Sequence, residues 1–70
     1  MKAAEIRALS VDDIRARLDD AKEELMKLRF QLAMGGLGDF TRLRYTRQNI
    51  ARLMTILEER QRAAQEEGEV

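Results

Sequence analysis

Apolar residues recur along the first half of the chain at Val11, Ile14, Leu18, Ala21, Leu25, Leu28 and Leu32, in alternating steps of three and four. That spacing is a heptad seam sustained over about three heptads. Charged and polar residues fill the gaps, so the pattern predicts an amphipathic helix over about 11–34, on the order of 36 Å long at 1.5 Å per residue. Its start is well signalled. Ser10 stands at the N-cap position and Asp13 three residues on, while Leu9 and Ile14 have the spacing of a hydrophobic staple. Asp12 and Asp13 suit the positive end of the helix dipole. Asp13 with Arg17 and Glu23 with Lys27 are acid-before-base pairs at i,i+4. Ahead of this helix, residues 3–8 read as a short helical turn.

Gly35, Gly36, Gly38 and Asp39 interrupt the pattern. Gly35 or Gly36 can take the left-handed conformation that ends a helix, and Asp39 can cap the next one. A second long helix is expected over about 40–64, with its seam at Leu43, Ile50, Met54 and Leu57, widened by Leu53 and Ile56. Arg47 and Gln61 fall at seam-like positions and weaken its regularity. Residues 65–70 form an acidic tail expected to fray. A turn as short as 35–39 makes the long helices antiparallel neighbours. The fold class is therefore all-α: a long, coiled-coil-like antiparallel two-helix hairpin with a short N-terminal helix, in a single domain spanning 1–70.

One apolar set does not belong to the seam. Met26, Phe30, Ala33 and Met34 recur on the first long helix at i, i+4, i+7 and i+8. At 100° per residue, Phe30 points about 160° from the seam centre. Met26, Phe30 and Met34 thus form a candidate docking patch for protein or RNA beside the hairpin turn.

Composition narrows the chemistry. The chain has 70 residues and neither Cys nor His nor Pro. A chain of this size buries only about 60% of its unfolded surface, so its stability by itself is marginal. Without Cys there is no disulfide or thiolate metal site, and without His the commonest general base and metal ligand is missing. No apolar run approaches the roughly 18 residues that span a bilayer, and Glu5 and Arg7 interrupt any secretory apolar core, so the expected location is the cytoplasm. The glycines at 35, 36 and 38 lack the Lys-Ser/Thr ending of a phosphate loop. The paired carboxylates Asp12/Asp13, Asp19/Asp20 and Glu23/Glu24 diverge around a helix instead of converging on a site. No nucleophile sits with a base and an orienting group. An enzyme, a cofactor, a metal and a small-molecule substrate are all unexpected.

Net charge is zero, which taken alone argues against a nucleic-acid partner, but its distribution is uneven. Residues 1–27 carry six bases and seven acids, 28–52 five bases and one acid, and 53–70 two bases and five acids. A basic centre lies between acidic ends, and patches govern binding more than totals do. Arg42, Arg44, Arg47 and Arg52 fall within eleven residues, and no acid occurs over 40–57. On a helical wheel Arg44, Gln48 and Arg52 form an outer stripe opposite the seam, with Arg42 and Arg47 flanking the seam on either side. Guanidinium groups are planar, permanently charged forks that suit phosphate, while Gln and Asn can bond phosphate or a ribose 2′-hydroxyl. The bland alternative is the solvated face of a stand-alone coiled-coil interaction module. Such faces usually mix both signs, as the first long helix does.

Several motifs in order resemble one family. They are Met1-Lys2-Ala3 through Glu5-Ile6-Arg7-Ala8-Leu9-Ser10, then Glu24-Leu25 through Leu28-Arg29-Phe30-Gln31-Leu32-Ala33 with a Gly-rich turn, then Arg42-Leu43-Arg44-Tyr45-Thr46-Arg47-Gln48-Asn49-Ile50-Ala51-Arg52-Leu53 followed by Thr55-Ile56-Leu57. Together they cover residues 1–60 and are similar to the bacterial large-subunit ribosomal protein twenty-nine family. The chain departs from it at Phe40, where the family often has proline, and at Gln48-Asn49, where a base followed by an acid is common. The resemblance implies a structural constituent of the large ribosomal subunit that binds large-subunit rRNA near the polypeptide exit tunnel. It implies the large-subunit protein twenty-three as neighbour, and factors acting on nascent chains docking close by. By motif match, Arg29, Gln31, Arg42, Arg44, Arg47 and Arg52 carry over as rRNA contacts, and the outer stripe adds Gln48.

Overall fold

Three helices follow one another: α1 (Ala3–Arg7), α2 (Val11–Ala33) and α3 (Thr41–Gly68). The computed structural model describes residues 2–36 and 38–68, with side chains as far as residue 65. No strand occurs among the described residues. The α2 N-terminus forms as its sequence dictates. Ser10 is extended, and its hydroxyl accepts the Asp13 amide at 3.1 Å. Replacing Ser10 by alanine strands that donor, and a thermal melt should show a loss of about 1 kcal/mol. Lys27 pairs with Glu23 at 3.6 Å along the exposed surface of α2.

The end of α2 is a Schellman turn. Gly36 donates to the Gln31 carbonyl at 2.9 Å and Gly35 to the Leu32 carbonyl at 3.0 Å. Gly35 has φ of +76°, the left-handed region in which any other L-residue would be strained. Across the turn, the Asp39 carboxylate accepts the Thr41 amide at 2.9 Å. Bonds from the backbone amide and the hydroxyl of Thr41 hold the Asp39 carboxyl below the usual carboxylate range. The chain thereby reverses, and α3 runs back along α2. Glu24 meets Arg42 near the turn, whereas Ile14 shares a core cluster with Ile56 far from it. The hairpin measures 54 × 19 × 14 Å. Its radius of gyration is 14.9 Å, against about 11 Å for a compact chain of this length.

The core departs from the expected seam in three places. On α3 the inward positions are Leu43, Thr46, Ile50, Leu53, Leu57 and Arg60, a regular alternation of three and four, with Asn49 and Ile56 beside them. Met54, expected in the seam, is 44% exposed, and Arg47 and Gln61 also face outward. Thr46 takes the position that an apolar count passes over, and it is buried. Among the described residues no buried side-chain polar atom lacks a hydrogen-bond partner, so this hydroxyl is accommodated. On α2 the seam is buried at Ile14, Leu18 and Leu28, but Leu32, in the last turn of the helix, is exposed.

The third departure concerns α1, which is a wedge of the core. Ile6 is fully buried with Ile14, Leu18, Leu53 and Ile56, and Ala3 and Leu9 pack against the same cluster. Polar contacts fasten it as well. Arg60 of α3 donates to the Arg7 carbonyl at the end of α1, and Arg7 pairs with Glu59 at 3.6 Å. The helix α3 continues to Gly68, beyond the expected stop at 64. Residues 69 and 70 of the expected tail lie outside the described residues.

Candidate nucleic-acid interface

The wheel position of each arginine on α3 decides what it meets. Arg44, Arg47 and Gln48 stand on the outer surface around Ala51, at i, i+3, i+4 and i+7, and enclose a shallow groove of about 350 Å³. All four residues are exposed. Arg52 lies one step further round and lines a second groove of about 210 Å³, between α1 and α3, with Ala3, Arg7, Ala51, Thr55 and Ile56. Ala51 belongs to both, so the grooves adjoin. Among the described residues no acid lines either of them. A third groove, between α2 and α3, mixes signs through Arg17, Asp20 and Glu24.

Arg42 goes elsewhere. Its Nε donates to Glu24 Oε1 at 2.7 Å, and Nη2 lies 2.5 Å from the same oxygen. Arg42 is turned toward α2, away from Arg44 and Arg47, and has a counter-charge that an acid-free count over 40–57 does not reveal. An exposed pair of this kind contributes at most about 1 kcal/mol, so it orients Arg42 more than it stabilises the hairpin. Arg29 and Gln31 are exposed near the turn on α2. By helical projection Gln31 falls on the Glu24 side of the seam and Arg29 on the other. The seven residues expected from the sequence therefore divide. Arg44, Arg47 and Gln48 form one cluster, Arg52 adjoins it, Arg42 pairs with Glu24, and Arg29 and Gln31 sit on α2. Sequence reasoning passed over Arg7. It lies 45 positions from Arg52, and only the docking of α1 brings both into one groove.

The apolar set on α2 is open to solvent. Met26, Phe30 and Met34 are 66%, 67% and 72% exposed, and Phe40 across the turn is half exposed. Among the described residues no group of acids could hold a metal ion, and no helix is long and apolar enough to cross a membrane.

The family model for ribosomal L29 protein matches residues 4–60, which include α1, α2, the turn and most of α3. The chain belongs to the ribosomal L29 protein family. Curated relatives of similar length bear the name large ribosomal subunit protein uL29. The one from Geobacillus stearothermophilus is 50% identical over 64 residues, covering 91% of this chain and 97% of the relative. That from Desulfatibacillum aliphaticivorans is 49% identical over 59 residues, covering 84% and 95%. That from Symbiobacterium thermophilum is 46% identical over 70 residues, covering 100% and 97%. The L29 family is one of ribosomal proteins, not of enzymes, which agrees with the lack of any catalytic constellation in the sequence. In this L29 family member Arg44, Arg47 and Arg52 of the signature are exposed on α3, and Arg42 turns toward Glu24 of α2.

Proposed function

We propose that this protein is a structural constituent of the large ribosomal subunit in the cytoplasm, and that it binds large-subunit rRNA through the outer surface of α3. The observation that carries this reading is the groove of Arg44, Arg47 and Gln48, which no acid lines among the described residues. Two guanidinium groups a helical turn apart can each fork onto a phosphate, and the Gln48 amide between them can bond a phosphate or a 2′-hydroxyl. Rigidity comes from the hairpin, so the spacing of the charges is set before RNA arrives. Arg52, Arg29 and Gln31 extend the contact around the helix pair, and Arg42 joins it oriented by Glu24.

The shape agrees with life inside a larger particle. The accessible surface is 5468 Å², against roughly 4,500 Å² for a compact monomer of the same mass. Much of the excess belongs to the outer sides of two helices that cannot cover one another. The Met26, Phe30 and Met34 patch would be covered by a neighbouring component. Following the family, its site is the rim of the polypeptide exit tunnel beside the large-subunit protein twenty-three, where factors acting on nascent chains dock.

Two measurements test this. In a sucrose gradient of cell lysate the protein should travel with the large subunit. In a binding titration with large-subunit rRNA, log affinity should fall against log salt with a slope of about −2 to −3, as three or four phosphate contacts require. Affinity that is flat between low and moderate salt, or protein remaining at the top of the gradient, would remove the reading.

A further inference from the structure

The groove between α1 and α3 differs in kind from its neighbour. Ala3, Ala51 and Ile56 give it an apolar floor, Thr55 stands at its edge, and Arg7 and Arg52 flank it from α1 and α3. Ile56 is itself core, so the floor is fixed by packing. The Thr55 hydroxyl donates to the Ala51 carbonyl at 2.9 Å, which leaves its oxygen lone pairs as acceptors at the groove edge. Arg7 pairs with Glu59 at 3.6 Å at one end of this wall. An apolar floor between two guanidinium groups suits a flat, aromatic, weakly polar ligand attached to an anion. Arginine planes stack on nucleobases, and RNA recognition commonly takes bases that have left the helical stack. The adjoining arginine groove, reached across Ala51, would hold the phosphates on either side of such a base.

We propose that the α1–α3 groove of about 210 Å³, lined by Arg7, Ala51, Arg52 and Thr55, is a subsite for a single unpaired nucleobase of the RNA whose backbone runs along Arg44 and Arg47. This rests on the rRNA-binding reading and adds to it. The arginine groove supplies affinity without regard to base pairing, and the second groove selects RNA with an extruded nucleotide. It also gives α1 a part in recognition, because Ala3 and Arg7 form one wall.

The test uses the full-length protein and two hairpin RNAs, identical except that one carries a single bulged nucleotide. The bulged RNA should bind about five- to tenfold more tightly, the low end of what stacking one base contributes. Thr55 is exposed and lines this groove but not the arginine groove. Thr55→Leu should therefore abolish the preference while leaving affinity for the unbulged hairpin unchanged. Arg44→Ala with Arg47→Ala should do the opposite, lowering affinity for both RNAs while the ratio persists. Should Thr55→Leu alter the helical circular dichroism, Arg7→Ala gives the same readout from the α1 wall. Equal binding of both RNAs by the wild type, or a preference that survives filling the groove, would overturn the subsite and leave the rRNA-binding reading intact. Failure to bind either RNA would instead defeat that reading.

Discussion

Arg44→Ala combined with Arg47→Ala is expected to weaken rRNA binding by about tenfold or more and to flatten the salt dependence by roughly 1.5 in log–log slope, the share of two phosphate contacts. Arg15→Ala combined with Arg17→Ala should change either quantity little. Both double variants remove two exposed charges from a long helix, so loss of net charge is the same in each. What differs is the surroundings. Arg44 and Arg47 stand in a groove that, among the described residues, no acid lines. Arg17 stands in one shared with Asp20 and Glu24, and Arg15 follows Asp12 and Asp13. An incoming phosphate meets unneutralised charge in the first case and carboxylates in the second. All four side chains are exposed, so neither double variant should move the urea midpoint appreciably. Equal losses of RNA affinity from the two would show that overall charge, not the α3 groove, drives binding.

Ile6→Ala is expected to be the most destabilising of the single changes considered, costing about 2–4 kcal/mol in urea unfolding, whereas Met54→Ala should cost less than about 1 kcal/mol. Ile6 is entirely buried between α2 and α3, and its truncation leaves a cavity walled by Ile14, Leu18, Leu53 and Ile56. A short helix such as α1 has no stability of its own, so its docking depends on that side chain and on the Arg60 and Glu59 contacts. Met54 already faces water over 44% of its surface and has less burial to lose. In a chain of this size, whose total stability is a few kcal/mol, the first substitution should release α1 and the second should pass almost unnoticed. Because Arg7 and Ala3 form one wall of the second groove, Ile6→Ala should also disturb whatever that groove binds.

The helical class, the hairpin and both ends of α2 were legible in the residues themselves, because each depends on local chemistry. A three-four apolar alternation buries one stripe whatever its partner is. Ser10 caps within its own turn, and a glycine ends a helix wherever the left-handed conformation is required. The outward positions of Arg44, Gln48 and Arg52 were legible for the same reason, since wheel position follows from spacing along one helix, whereas Arg47, expected beside the seam, faces outward with them. The L29 resemblance, read from motif order, was also available from the chain alone.

What the sequence could not decide were the relations between elements far apart in the chain. Thr46 took the place of Arg47 in the seam and Leu53 that of Met54, because the phase of α3 is set by the stripe of α2 that it faces, and a threonine methyl can pack there. The burial of Ile6 waited on α1 folding back into the open end of the hairpin. Glu24 met Arg42 across 18 positions, orienting toward α2 an arginine that its neighbours in sequence placed beside the others. Arg7 joined Arg52 in one groove by the same docking of α1. Periodicity along a single helix determines which side of it is wet. Only packing determines which charges on that side meet each other.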